Sequence, residues 1–147
     1  MIYKDLTRYT DGFFPPIDNI LNVGWLDGSV DFPVGEFGGG RLDKLKEIVY
    51  GDNSFSARFR VARGFADCKI CDEIATTKIH GSKKMIGASL LLIPSVKNGE
   101  YFASPSALIH YIEEHRYMPP SVFIESLDEV DLGMDFDAIK IVEELMA

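Results

Sequence analysis

The strongest constraint on the fold is a pair of pairs. Cys68 and Cys71 form a CxxC turn, and His110 and His115 form an HxxxxH segment further along the chain. Zinc takes four soft or borderline ligands in a tetrahedron, and two thiolates with two imidazoles are a common structural set. Two thiolates three apart can grip one ion from a tight turn, and two nearby histidines can grip it from the end of a helix. One ion held by both pairs would oblige the chain between Cys71 and His110 to fold back on itself. The order is that of a hairpin-plus-helix zinc module, with a longer gap than a single zinc finger because several strands intervene.

The histidines impose a condition of their own. On an ideal helix, positions five apart diverge by about 140°. The two rings converge only if the helix loosens in its last turn, which the following Tyr117-Met118-Pro119-Pro120 favours. His80 is a spare candidate for the fourth ligand, and Asp67 and Asp72 flank the thiols as candidate supporting residues. Competing readings exist for each residue. A CxxC can be two reduced buried thiols or a redox pair, although no thioredoxin-like βαβ context and no strong cation accompany this one. A histidine on an amphipathic helix can be a surface or core residue with no metal.

The rest of the chain supplies the scaffold. Residues 1–40 are rich in turn signals, with Asp11-Gly12, Pro15-Pro16, Asp27-Gly28, Phe32-Pro33 and Gly38-Gly39-Gly40. A short strand is expected over Ile20 to Leu26. Arg41 to Tyr50 reads as a helix, with Leu42, Leu45, Ile48 and Val49 at helical spacing and Gly51 as its stop. Residues 74–103 read as an antiparallel meander of three strands: Ile74 to Ile79, Met85 to Ile93, and Glu100 to Ala103. The turns are at His80-Gly81-Ser82-Lys83 and Asn98-Gly99. Ser104-Pro105 has the form of a helix start, Ser as N-cap and Pro at the first position, for a helix reaching His115. Pro119-Pro120 stops it and opens a short helix over Ser121 to Leu127. A last helix, capped by Asp135 or Asp137, carries Ile139, Val142, Leu145 and Met146 on one side. The expected fold is α+β: an antiparallel β-meander packed with three to four helices in a single domain. Residues 1–128 hold the CxxC/HxxxxH module, and 129–147 form an acidic linker and a C-terminal helix packed on or extending it.

Composition limits the partners. The 147 residues carry 23 acidic and 15 basic side chains, a formal net charge of −8. Such a chain is a poor general binder of nucleic acid or anionic membrane and a better match for a basic protein. Ten Phe, six Tyr and one Trp supply enough apolar volume for a core without staples. Two cysteines are too few for a disulfide framework and fit a reducing compartment. The start of the chain has no apolar h-region and no stretch approaches a membrane span, so the expected location is the cytoplasm.

Weaker features have ordinary readings. Gly38-Gly39-Gly40-Arg41 shares only its glycines with a phosphate loop, lacks the GK[ST] ending, and reads as a flexible connector. Trp25 with Phe13, Phe14 and Phe32 reads as core rather than a ligand cage. Glu113-Glu114 and the acidic stretch from Glu125 to Asp137 read as solvated faces. No GxSxG or HExxH motif is present.

Several segments together are distinctive: Leu21-Asn22-Val23-Gly24-Trp25-Leu26-Asp27, Phe32-Pro33-Val34-Gly35-Glu36, Arg63-Gly64-Phe65, and Tyr101-Phe102-Ala103-Ser104-Pro105. Leu108-Ile109-His110-Tyr111-Ile112 and His115-Arg116-Tyr117-Met118-Pro119-Pro120 with Phe123-Ile124 complete the set. With these, roughly residues 1–128 resemble a family of small uncharacterised bacterial proteins with no assigned activity. The family pattern keeps the CxxC and both histidines, which implies a shared metal site. This chain departs from it at Ala66-Asp67, where a histidine is usual, at Ser89-Leu90-Leu91, where an acidic residue is usual, and in its tail beyond Asp128. The first two departures speak against catalytic roles at those positions.

Two function classes follow. The first is a non-catalytic binding or adaptor protein with a structural zinc and a basic protein partner, an immunity protein against a toxin being one concrete version. The second is a metal-dependent hydrolase. There His115 would swing away from Cys68, Cys71 and His110 to leave a water site, with Glu113 or Glu114 as the base. Closed four-ligand sets are usually structural, which favours the first. No catalytic residue is assigned.

Overall fold

The computed structural model describes residues 3–10, 16–26, 28–29, 31–51, 54–60, 67–86 and 89–146. The expected turn at Asp11-Gly12, the aromatic pair Phe13-Phe14, and Arg63-Gly64-Phe65 lie outside the described residues, as do Pro15, Asp27 and Ala66. Strands and helices follow in this order: β1 (Arg8–Tyr9), β2 (Ile17–Asn22), α1 (Gly39–Tyr50), β3 (Phe55–Ser56), β4 (Arg58–Arg60), β5 (Thr76–Ile79), β6 (Ser82–Met85), β7 (Leu90–Pro94), β8 (Tyr101–Pro105), α2 (Leu108–His115), α3 (Ser121–Glu129), β9 (Phe136–Asp137) and α4 (Ala138–Met146). The class is α+β, a single domain with mixed pairing.

The central sheet runs β1-β2-β8-β7-β4. All its pairings are antiparallel except β2 with β8, which lie parallel with Leu21 opposite Phe102. Leu91, Leu92 and Ile93 are all buried, so β7 is covered on both faces. On one face Phe102 meets Phe123 of α3 edge-on, with ring centroids 5.5 Å apart. On the other, Tyr101 meets Phe136, and Phe136 stacks on Phe55 at 4.3 Å where β3 and β9 pair in parallel. The last helix therefore starts from a point tied into the body. Its first turn is held by Asp137, whose Oδ1 accepts the Lys140 amide at 3.3 Å.

The expected three-stranded meander divides. Ser82–Met85 turns back on β5 as a separate two-stranded ribbon, while Leu90–Pro94 pairs with β8 and β4. Gly87-Ala88, inside the expected middle strand, lies outside the described residues. The ribbon's turn is only His80-Gly81, with Ile79 opposite Ser82. Both turn residues have positive φ, 49° and 80°. That is the two-residue hairpin turn whose twist matches the strands it joins. The Asn98-Gly99 signal marks the β7–β8 connection, and Gly99 takes φ 79° there.

Three further expectations shift. β8 runs through Ser104-Pro105, Pro105 standing opposite Leu90, and α2 begins three residues later at Leu108. A proline is tolerated at a strand end, where its missing N–H costs no ladder bond. Gly38 to Gly40 is no loose connector: Gly38, at φ 98°, caps α1, and Gly39 and Gly40 lie in the first turn. Ile139 points outward at 49% exposure, and Ala138 and Val142 are the buried residues of α4. Among the described residues, no helix is long and apolar enough to cross a membrane.

Candidate metal centre

The cysteine turn is closed before it meets the histidines. Asp67 and Ile74 form an antiparallel bridge, and the Cys68 amide donates to the Glu73 carbonyl at 2.7 Å. Asp72 returns its amide to the Cys68 carbonyl at 2.9 Å and takes a left-handed φ of 59°. Inside this turn the amides of Ile70 and Cys71 point at Cys68 Sγ, 3.4 and 3.5 Å away. Backbone N–H groups aimed at sulfur favour the thiolate form. From outside, the Gly28 amide donates to the Lys69 carbonyl at 3.0 Å and braces the turn against the N-terminal region.

The histidine helix meets its condition. α2 ends at His115, and Arg116 takes the left-handed conformation, φ 57° and ψ 26°. The amides of Arg116 and Tyr117 both reach back to the Tyr111 carbonyl, five and six residues earlier rather than four. The last turn is thus widened, in the manner of a π-bulge. Widening brings positions five apart toward one side, and the rings of His110 and His115 stand 5.2 Å apart.

The two halves converge. Cys68 Sγ lies 3.3 Å from His115 Nε2, and Cys71 Sγ lies 3.7 Å from His110 Nε2. One ligand atom from each of the four residues falls within 4.8 Å of every other. The four side chains are positioned to bind a metal ion. Cys68 and His110 are buried, His115 is half-buried, and Cys71 faces solvent.

Neighbouring groups set the protonation of the donors. His110 Nδ1 faces the Thr76 carbonyl at 3.3 Å. A carbonyl only accepts, so Nδ1 is the donor there, and in the neutral ring Nε2 is the nitrogen whose lone pair faces Cys71. Burial holds the His115 imidazole below its ordinary pKa, helped by the charge of His110 and opposed by Glu114. Burial pushes the Cys68 thiol up, against the two amides that point at it. Binding a cation here therefore displaces a thiol proton and meets an imidazole already biased toward its neutral, ligating form.

Other sequence candidates lie elsewhere. His80 is exposed, occupies the β5–β6 turn and pairs with Glu47, outside the cluster. Asp67 and Asp72 are exposed, and what they bring to the turn is backbone. Glu113 is tied down: its Oε2 accepts Lys46 Nζ at 2.8 Å, and its Oε1 accepts the Thr77 hydroxyl at 2.8 Å. Spacing alone carried no sign of Lys46 or Thr77 as supports of this helix, because both arrive from other elements. Trp25 and Phe32, assigned to the core, are only half-buried against it.

A family model described as a domain of unknown function, DUF7919, matches residues 1–128. No curated protein and no solved structure matches the chain.

Proposed function

The chain belongs to the DUF7919 family, and from that premise we propose that it is a zinc-stapled, non-catalytic binding protein whose partner is basic. A structural zinc held by Cys68, Cys71, His110 and His115 joins the cysteine turn to α2. The observation that carries this reading is the convergence of two donor pairs separated by 39 and 47 residues of chain. Zinc bond lengths in a tetrahedron call for donor separations of roughly 3.3–3.8 Å. The two sulfur–nitrogen pairs, at 3.3 and 3.7 Å, agree with that. The donor set supports zinc over harder cations such as magnesium and calcium, which take oxygen ligands.

The closed site supports a structural role. With His115 against Cys68, all four positions are filled by protein, and Glu113 is committed to Lys46 and Thr77. The net charge of −8 supports a basic partner, for which a basic toxin neutralised by this chain is the concrete case. Thiolate ligation supports a reducing compartment, the cytoplasm.

Elemental mass spectrometry of tag-free protein tests the metal. One zinc per chain, lost in chelator together with thermal stability, is the expected result. Metal-free protein with both thiols open to alkylation overturns the site.

A further inference from the structure

A second feature faces solvent beside the metal-bearing scaffold. Tyr3, Trp25 and Phe32 wall a cleft of about 500 Å3 whose lining includes Asp5, Asp31 and Pro33. That volume lies in the range of small-ligand sites. We propose that this cleft binds the side-chain cation of a basic protein, an alkylammonium or guanidinium group, between the aromatic rings and Asp5. The inference rests on the reading of the chain as a binding protein for a basic partner, and it places one contact of that partner.

The walls are fixed by other bonds. The Trp25 indole N–H donates to the Ala103 carbonyl at 3.0 Å, and the Tyr3 hydroxyl donates to the Thr10 carbonyl at 3.3 Å. The two rings stand perpendicular, with centroids 5.4 Å apart and an interplanar angle of 86°. Phe32 leans edge-on against the buried ring of Tyr117, 6.1 Å away. Rings held in this way offer aromatic surface at little entropic cost, and aromatic faces attract organic cations.

The carboxylate is fixed as well. Asp5 Oδ1 accepts the Gly24 amide at 3.0 Å, and Oδ2 accepts the Tyr117 hydroxyl at 2.7 Å. Gly24 can present that amide only as glycine: its φ is 82°, and a Cβ there would stand 2.5 Å from Leu108 Cδ1. Each Asp5 oxygen keeps a second lone pair, so the group remains an acceptor for an incoming cation. Asp31, exposed at the same cleft, adds a second negative charge. Lys4 also lines the cleft and is exposed, which makes it a built-in competitor for the cation. Two carboxylates against one lysine, in a chain of net charge −8, set the sign of the preferred ligand.

Trp25 is the only tryptophan, so its fluorescence reports on the cleft directly. The full chain is titrated with n-butylammonium, n-butylguanidinium and neutral n-butanol. Saturable binding of both cations, about tenfold tighter than the alcohol, is expected from cation–π and carboxylate contacts together. Asp31→Asn should weaken cation binding severalfold without moving the melting temperature, and Lys4→Gln should tighten it. Butanol binding as tightly as the cations, no saturable response, or weaker binding in Lys4→Gln overturns the proposal. An octalysine peptide separates the two readings. If it binds while neither small cation does, the cleft is refuted and the basic-partner reading stands. If it too fails to bind, both fall.

Discussion

Tyr117 donates its hydroxyl proton to Oδ2 of Asp5 at 2.7 Å, joining residues 112 positions apart in the chain. The tyrosine is fully buried, and it follows directly on the widened last turn of α2. The bond thus ties the end of the histidine helix to the N-terminal segment that bears the aromatic cleft. Burial first, and then the charge of Asp5, hold the phenol above its ordinary pKa. The folded value is raised, so its contribution to stability is fully present below the unfolded pKa of about 10 and is lost as pH rises beyond it. Urea unfolding between pH 8 and pH 11 should show stability falling more steeply in wild type than in Tyr117→Phe. At pH 8 the variant should be weaker by about 1.5–3 kcal/mol, the range for a hydrogen bond to a charged group. Parallel curves for the two proteins would sink this account.

Cys68→Ser should abolish stoichiometric metal and lower stability by several kcal/mol, since binding free energy at a structural zinc site becomes folding free energy. His80→Ala is the matched control, because His80 pairs with Glu47 on an exposed turn away from the cluster. Metal content and melting should be unchanged there. Equal metal in wild type and Cys68→Ser, or loss of metal in His80→Ala, would move the site elsewhere.

The Lys46–Glu113 pair offers a test of the scaffold behind the histidines. The two side chains are 11% and 26% exposed, so solvent screens them less than a surface pair. Glu113→Gln leaves the Lys46 charge with little water around it, and should destabilise by about 1–3 kcal/mol, below the full cost of stranding a buried charge. Metal stoichiometry should stay at the wild-type value. The double variant Lys46→Met, Glu113→Leu should regain part of the lost stability. Calorimetry with metal analysis on the same samples checks both points, and loss of metal in Glu113→Gln would make the glutamate a part of the site.

Phe136→Ala probes how far the last helix belongs to the body. Phe136 stacks on Phe55 and touches Tyr101, and it is almost fully buried. Truncation of such a ring costs about 3–5 kcal/mol. A single cooperative transition at lower temperature is expected. An unchanged main transition, with only the C-terminal segment loosening, would make residues 136–146 an appendage.

Much of this was legible in the residues. The spacing of Leu42, Leu45, Ile48 and Val49 marked α1, and Pro119-Pro120 marked the break between α2 and α3. The need for a widened turn between His110 and His115 followed from helix geometry alone. The strand pairing did not follow in the same way. Thr76–Ile79 and Leu90–Pro94 both carry strand-like residues, and nothing local says that the first pairs with Ser82–Met85 while the second joins the central sheet. His80 looked like a ligand because histidine is a ligand type, yet a two-residue turn with positive φ accounts for its position. Trp25 looked like core because it is large and apolar, and only its neighbours leave one side open.

The division has a physical basis. Residue type and short spacing determined the donor chemistry, the helices, the turns and the excess of negative charge, since those depend on groups within one or two turns of each other. Tertiary structure alone decided the parallel contact of β2 with β8, the pairing of Cys68 with His115 and Cys71 with His110 within the expected cluster, and Asp5 under Tyr117. Such contacts require closing long loops, and that entropy is recovered only when the whole core packs at once. No local pattern encodes that sum.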